Sequence, residues 1–246
     1  MQYVELHSKS NFSFLLGASH PHELVERAAE LGYGGFALTD IASVAGVVRG
    51  HTSAKELGLP YVVGAEIHPI DAPPLVLWPS DRAAYGRLCR LISRGRLRAE
   101  KGECQLAWSD VVEFSQGMLA GLIPRIHSER ISSPSGAIGS PSGSIDADSV
   151  AAGPFENDAL PEIPSLDFLR GSFREVFEDR GYLFCELHRG VDDDAFIDQL
   201  QQLSTRGEVP LLAAGDVHYH TPDRMLMHDC LTAIRHGTTI DQVHRD

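Results

Sequence analysis

Short apolar runs alternate along this chain with stretches of helical spacing. Seven runs read as strands: Tyr3–His7, Gly35–Thr39, Tyr61–Ile67, Leu75–Trp78, Met118–Leu122, Tyr182–Leu187 and Leu211–Ala214. Ser19-His20-Pro21 predicts a cap with proline in the first helical turn. Leu24, Val25, Ala28 and Leu31 then form one apolar face, and Gly32 stops the helix. Val44, Val47, Val48, His51 and Leu57 predict a second helix, closed by Gly58 and Pro60. Asp81–Arg94, Asp192–Leu203 and Pro222–Arg235 carry further helical patterns. Strand–helix alternation predicts an α/β fold with a largely parallel sheet. With seven strands, both a closed or distorted barrel and an open doubly wound sheet fit.

One stretch breaks the alternation. Residues 128–165 are rich in Ser, Pro, Gly, Ala and Asp, and Ser133-Pro134-Ser135-Gly136 recurs as Ser140-Pro141-Ser142-Gly143. Such a segment buries too little apolar surface to offset its ordering entropy. It predicts a disordered insertion, with a partner-binding tether as the functional alternative. The strand–helix pattern resumes after it, so residues 1–246 read as a single domain.

Composition narrows the class. With 43% hydrophobic and 22% charged residues, the chain can bury a core and is neither collagen, coiled coil nor wholly disordered. No run approaches the roughly 18 apolar residues that span a bilayer, and the first residues lack a signal peptide's basic and apolar regions. Cys89, Cys104, Cys185 and Cys230 form no C-x-x-C pair, which predicts reduced thiols in a cytoplasmic protein. A net charge of −13 disfavours wrapping a polyanion, so DNA contact needs a local basic patch or a partner. Arg82, Arg87, Arg90, Arg94, Arg96, Arg98 and Lys101 form such a segment, with Arg87, Arg90 and Arg94 at helical spacing. These three are candidates for contact with DNA phosphates or a partner, against the alternative of a solvated helix face. Trp78, Trp108 and most phenylalanines read as core.

Twelve histidines prompt a search for a site. Residues two apart on a strand share a face. Glu5, His7 and Lys9 do so at the first strand, Glu66 and His68 at the third, Glu186 and His188 at the sixth, and Asp216 and His218 at the seventh, while Asp40 directly follows the second. In parallel α/β folds the C-terminal strand ends form the functional rim. Carboxylate and imidazole together suit Zn, Mn or Fe, and such an ion activates water for hydrolysis. His20, His22, His51, His228, His236 and His244 fall on helices or tails and read as non-ligands. No phosphate-cradling loop or serine nucleophile elbow is present.

Several segments match a known family. Leu6-His7-Ser8-Lys9-Ser10 with Phe12–Ser19, Leu24–Ala28 with Ala37-Leu38-Thr39-Asp40, Val63-Gly64-Ala65-Glu66, and Gly215-Asp216-Val217-His218 together resemble the motifs of the PHP (polymerase and histidinol phosphatase) family. Within it the chain is most similar to the N-terminal domain of bacterial C-family DNA polymerases, error-prone branch, through Asn11–Leu15, Ser43–Arg49, Ala213–His218 and Thr232-Ala233-Ile234-Arg235. The resemblance implies a distorted seven-stranded (βα) barrel, a rim site for up to three metal ions, and phosphoesterase or 3′–5′ exonuclease activity in fully equipped members. His7, Glu66, His188, Asp216 and His218 match ligand positions.

Departures from the pattern alter that expectation. The family's His-x-His becomes His7-x-Lys9, a ligand position becomes apolar at Leu15 or Leu16, and Thr-Asp-His becomes Thr39-Asp40-Ile41. No ligand stands near Leu75–Pro79. An ammonium replaces a cation instead of binding one, so Lys9 is expected to neutralise Glu66 and Asp216 as a surrogate for a lost metal. At most one Mn, Zn or Fe ion is expected at the five matching residues, with Asp40 behind them. The resemblance implies a largely structural unit of an error-prone polymerase for replication and damage-induced translesion synthesis. Its partner would be the polymerase body, in cis or as a separate subunit, with DNA contacted indirectly and no membrane role. Lacking a palm domain, the chain is not expected to extend DNA alone. A stand-alone metal-dependent phosphoesterase or exonuclease is the alternative.

Overall fold

The computed structural model describes residues 2–124, 164–187 and 193–243. Among the described residues, eight strands form two sheets. In the first, β1 (Val4–Glu5), β2 (Gly35–Leu38) and β3 (Tyr61–Val63) run parallel in that order. In the second, β4 (Ala65–Ile67), β5 (Leu75–Pro79), β6 (Met118–Leu122), β7 (Gly181–Cys185) and β8 (Leu211–Ala213) lie side by side. β6, β7 and β8 are parallel, whereas β5 is antiparallel to both its neighbours, a departure from the largely parallel sheet that alternation predicted. The short connection between β4 and β5 allows that reversal, with no intervening helix to force a crossover.

Two seams close the sheets into a distorted barrel. Beyond β1, Ser8 bridges Val217, with Lys9 N donating to Val217 O at 2.8 Å and Val217 N to His7 O at 3.1 Å. Beyond β2, Ile41 bridges Glu66, with Ala42 N donating to Glu66 O at 2.8 Å. The barrel, and not the open sheet, is therefore the arrangement adopted.

The apolar run Tyr61–Ile67 is split between the two sheets at Gly64. Gly64 N donates to Leu38 O at 3.0 Å, and a Cβ there would lie 2.8 Å from Trp78 Cδ1 and 2.9 Å from Thr39 Cγ2. Only glycine lets the backbone approach so closely while the chain changes sheets.

Helices pack outside. α1 (Pro21–Glu30) buries Leu24, Val25 and Ala28 as its spacing predicted, whereas Leu31, expected on the same face, is exposed, and Gly32 ends the segment at φ 72°. α2 (Val47–Leu57) buries Val47, Gly50, Ser53 and Ala54, whereas Val48 and Leu57 face solvent. The small face is required because Gly50 lies against Tyr61, where a Cβ would fall 2.4 Å from the hydroxyl. α3 (Arg82–Arg98) starts at Asp81, whose carboxylate accepts from Ala84 N at 2.7 Å. α4 (Trp108–Phe114) has no counterpart in the sequence pattern.

A short α5 (Leu166–Phe168), a π turn (Leu169–Phe173) and α6 (Arg174–Phe177) precede β7 and place Phe173 and Phe177 against Trp108. Ser165, counted in the insertion, caps α5 by accepting from Phe168 N at 3.1 Å. The insertion otherwise lies outside the described residues, apart from Pro164. α7 (Asp193–Gly207) covers β7 and β8, and α8 (Met225–His236) and α9 (Ile240–Val243) follow. Among the described residues, no helix is long and apolar enough to cross a membrane, and the four cysteines are free.

The largest apolar cluster lies between the β4–β8 sheet and α3, α4 and α7. Another cluster joins Ala37, Val76, Trp78, Phe184 and Ala214, which makes an apolar floor beneath the rim.

Candidate functional site

Strand alternation carries His7 and Lys9 to the same side of the rim, and the seam to Val217 brings Asp216 opposite them. The His7 ring stacks on Phe184 at 5.3 Å between centroids, so its back is apolar and its two nitrogens face acids. Nε2 lies 2.8 Å from Glu66 Oε2, and Nδ1 lies 2.5 Å from Glu186 Oε1 and 3.6 Å from Asp216 Oδ1. The Lys9 ammonium bridges Glu66 Oε2, at 2.9 Å, and Asp216 Oδ1, which it contacts directly. It also lies 3.3 Å from His7 Nε2. His7, Lys9 and Glu66 are at most 4% exposed.

Burial alone would neutralise each of these groups. It works against protonation of His7, as does Lys9, but Glu186 and Asp216 overcome both and raise the imidazole to about 10. Burial likewise opposes the Lys9 charge, and Glu66 and Asp216 outweigh it and push the ammonium upward. For Glu66, burial is outweighed by Lys9 and by the bonds from His68 and His7, which hold the carboxyl well below its usual range. Asp216 is lowered in the same way, chiefly by Lys9 and His7 acting against burial. The result is a lattice of two cations, His7 and Lys9, among three carboxylates.

An outer ring supports it. His68 Nε2 meets Glu66 Oε1 at 2.5 Å. His218 Nε2 lies 3.3 Å from Asp216 Oδ1, and His218 Nδ1 lies 3.0 Å from His228 Nε2. Asp216 adopts φ 46°, in the left-handed region that a short polar side chain tolerates better than most. Asp40 bonds a different set of partners. Its carboxylate accepts from Ser10 N at 2.7 Å, Ser10 Oγ at 2.8 Å and Ser13 Oγ at 2.7 Å. Burial raises its pKa against these three bonds and the Lys9 charge. Asp40 thus anchors the loop that follows Lys9.

The sequence pattern of the PHP domain matches residues 5–149. The chain belongs to the PHP domain family. Its sequence is 53% identical over 246 residues to an error-prone DNA polymerase of Rhodopirellula baltica, covering 100% of this chain and 19% of that protein. It is 38% identical over 240 residues to an error-prone DNA polymerase of Pseudomonas aeruginosa, covering 98% of this chain and 20% of that protein. The chain thus spans about one fifth of the length of these relatives. Among solved structures, one from Bifidobacterium adolescentis described as a metal-dependent phosphoesterase superposes with a TM-score of 0.59 at 15% identity, covering 94% of this chain and 96% of that one. The fold of this PHP domain is therefore shared with that protein.

Do the residues of this PHP domain fit a metal? One nitrogen of His7 and one oxygen each of Glu186 and Asp216 lie within 4.8 Å of one another, a donor set suited to a single ion. The space is contested. His7 Nδ1 is already bonded to Glu186, and the Lys9 ammonium sits on Asp216. One ion fits only in place of contacts already made. Among the described residues the donors make one such grouping, and Ile41, Val76 and Trp78 add only buried apolar side chains, the last two in the floor beneath the rim.

The predicted residues divide accordingly. His7, Lys9, Glu66 and Asp216 meet, and His218 borders them through Asp216. His188 lies outside the described residues. Asp40 makes its hydrogen bonds to Ser10 and Ser13 outside the ion lattice, within reach of the Lys9 charge. Glu186 belongs to the lattice and His68 to its outer ring; neither is among the five residues matched to ligand positions, although both sit in the acid–histidine alternation of their strand ends. His228, read as a non-ligand, touches His218 because α8 folds back over the rim; nothing in local spacing signals that. Arg87 donates to Gln116 O at 2.7 Å and Arg90 to Gly86 O at 3.2 Å. Arg94 pairs with Glu113 at 2.5 Å and Asp110 at 3.1 Å. These arginines are engaged within the domain.

Proposed function

We propose that this chain is the PHP domain of an error-prone DNA polymerase, acting in the cytoplasm in replication and damage-induced translesion synthesis. Its own part is structural, and its rim is held by Lys9 where other members hold metal. The observation that carries this reading is one ammonium bridging two carboxylates, Glu66 on β4 and Asp216 in the segment after β8. Two buried carboxylates need a counter-charge, and a lysine fixed between them supplies it without an ion. Polymerisation belongs to the remainder of the longer polypeptide, its partner in cis. DNA is contacted through that body, because Arg87, Arg90 and Arg94 of the basic helix α3 are held by acceptors within the domain.

Elemental analysis after mild dialysis tests the rim. The unmodified chain is expected to hold no more Mn, Zn or Fe than an Asp216→Ala/His218→Ala control, and Lys9→His is expected to gain metal. Near-stoichiometric metal that the control loses, with Lys9→His no better than a distant surface change, would overturn the reading. The second reading, a single-ion phosphoesterase, is favoured by the His7–Glu186–Asp216 grouping, and that metal result would establish it as the one to pursue.

A further inference from the structure

Helix α8 is built inside out. Its inward side is polar or small: Asp229 and Ala233 are buried, His228 meets His218 at 3.0 Å, and Thr232 Oγ1 is buried. Its outward side is apolar: Leu226 is 63% exposed, Ile234 64%, Met225 52% and Met227 48%, with Cys230 exposed between them. Leu226, Cys230 and Ile234 stand four residues apart, which aligns them in one stripe. A surface helix ordinarily turns such a stripe to its own core. Here the core side is occupied by contacts to the rim, so the stripe faces out. A contiguous exposed apolar stripe marks an interaction surface.

We infer that this stripe is the seat of the polymerase body, an apolar surface of the same longer polypeptide. The inference rests on the polymerase reading above. Relatives match this chain from end to end yet it makes up 19% and 20% of them, which leaves about four fifths of each outside the unit. A tethered segment competes at an effective concentration of about millimolar, far above that of a free second copy in solution. The body therefore takes the stripe ahead of self-association. Because the opposite side of α8 holds His218 through His228, the same helix ties the seated body to the rim.

Thiol alkylation of Cys230 in the intact longer polymerase, read by peptide mass spectrometry, tests this without altering the protein. The reference is a synthetic peptide of residues Met225–His236. Cys230 is expected to react at least about 10-fold more slowly than the peptide, and Leu226→Asp/Ile234→Asp to remove most of that protection. Val48→Asp, at a site 73% exposed on α2, is expected to leave it intact. Reaction at the peptide's rate in the unmodified polymerase overturns the inference. Protection that vanishes on dilution, alongside a dimer by light scattering, overturns it in favour of a second copy. A native gene product of only 246 residues, by intact mass, sinks the polymerase reading itself and the inference with it.

Discussion

Two ion networks in this domain use the same kinds of side chain and differ in burial. At the rim, His7, Lys9 and Glu66 have side chains at most 5% exposed, and Asp216 is 19% exposed. On the outer helices, Arg94, Arg98 and Glu113 surround Asp110 with side chains 29%, 49% and 58% exposed. Water screens the outer network, so each pair there contributes little. Inside, desolvation is severe, and removing one partner strands a charge that nothing else solvates. The networks also differ in how far the chain must travel to make them. Arg94 and Arg98 reach partners 12 to 19 residues away, whereas Lys9 and Asp216 are 207 apart. The outer pairs help a local helix pair to dock, while the inner ones close the barrel.

The largest test of that difference is Lys9→Met. It leaves Glu66 and Asp216 buried without their shared cation, and denaturant unfolding should show a loss of about 3–5 kcal/mol. A loss within the range of a surface pair would erase the distinction drawn above. A pH series comes next. A histidine raised from 6.5 to about 10 contributes stability fully present below pH 6.5 and lost as pH rises toward 10. Carboxylates lowered from 4.5 and 3.8, Glu66 and Asp216, contribute stability present above those values and lost as pH falls below them. Urea midpoints should therefore be highest near pH 5–6 and decline on both sides, whereas the outer network predicts no alkaline decline in this window.

Asp40→Ala separates charge from hydrogen bonding. It removes the acceptor of Ser10 N, Ser10 Oγ and Ser13 Oγ while leaving every ion pair of the lattice in place, and should cost about 1–3 kcal/mol in the same unfolding assay. The smallest effect is expected of Glu113→Gln at the exposed end of the outer network. Its thermal midpoint should match that of the unmodified protein; a clear drop would mean the outer pairs share the inner network's character.

Much of this was legible in the chain itself. Alternation located every strand of the barrel, because apolar runs of strand length bounded by turn residues leave few other readings. The split at Gly64 was not legible, since periodicity records which side a residue faces and not which sheet it joins. The reversal of β5 escaped for the same reason. At the rim, residues two apart brought His7, Lys9, Glu66 and Asp216 into view, and the seams at Ser8 and Ile41 did the rest. Glu186 and His228 were harder. Glu186 differs from a solvated strand-end acid only through the His7 it meets 179 residues away, and His228 through the fold of α8. For the arginines of α3, composition gave their charge but not their partners, Gln116 O and Glu113 among them.

The lysine between the strands has one more consequence. A bound ion has an off-rate and must be found again by every new molecule, in competition with every other protein that wants it. A side-chain ammonium arrives with the ribosome's product and has no dissociation constant. Glu66 and Asp216 acquire their bridge as soon as the chain folds, in a cell starved of transition metals as in one replete with them, and no chelator can take it away.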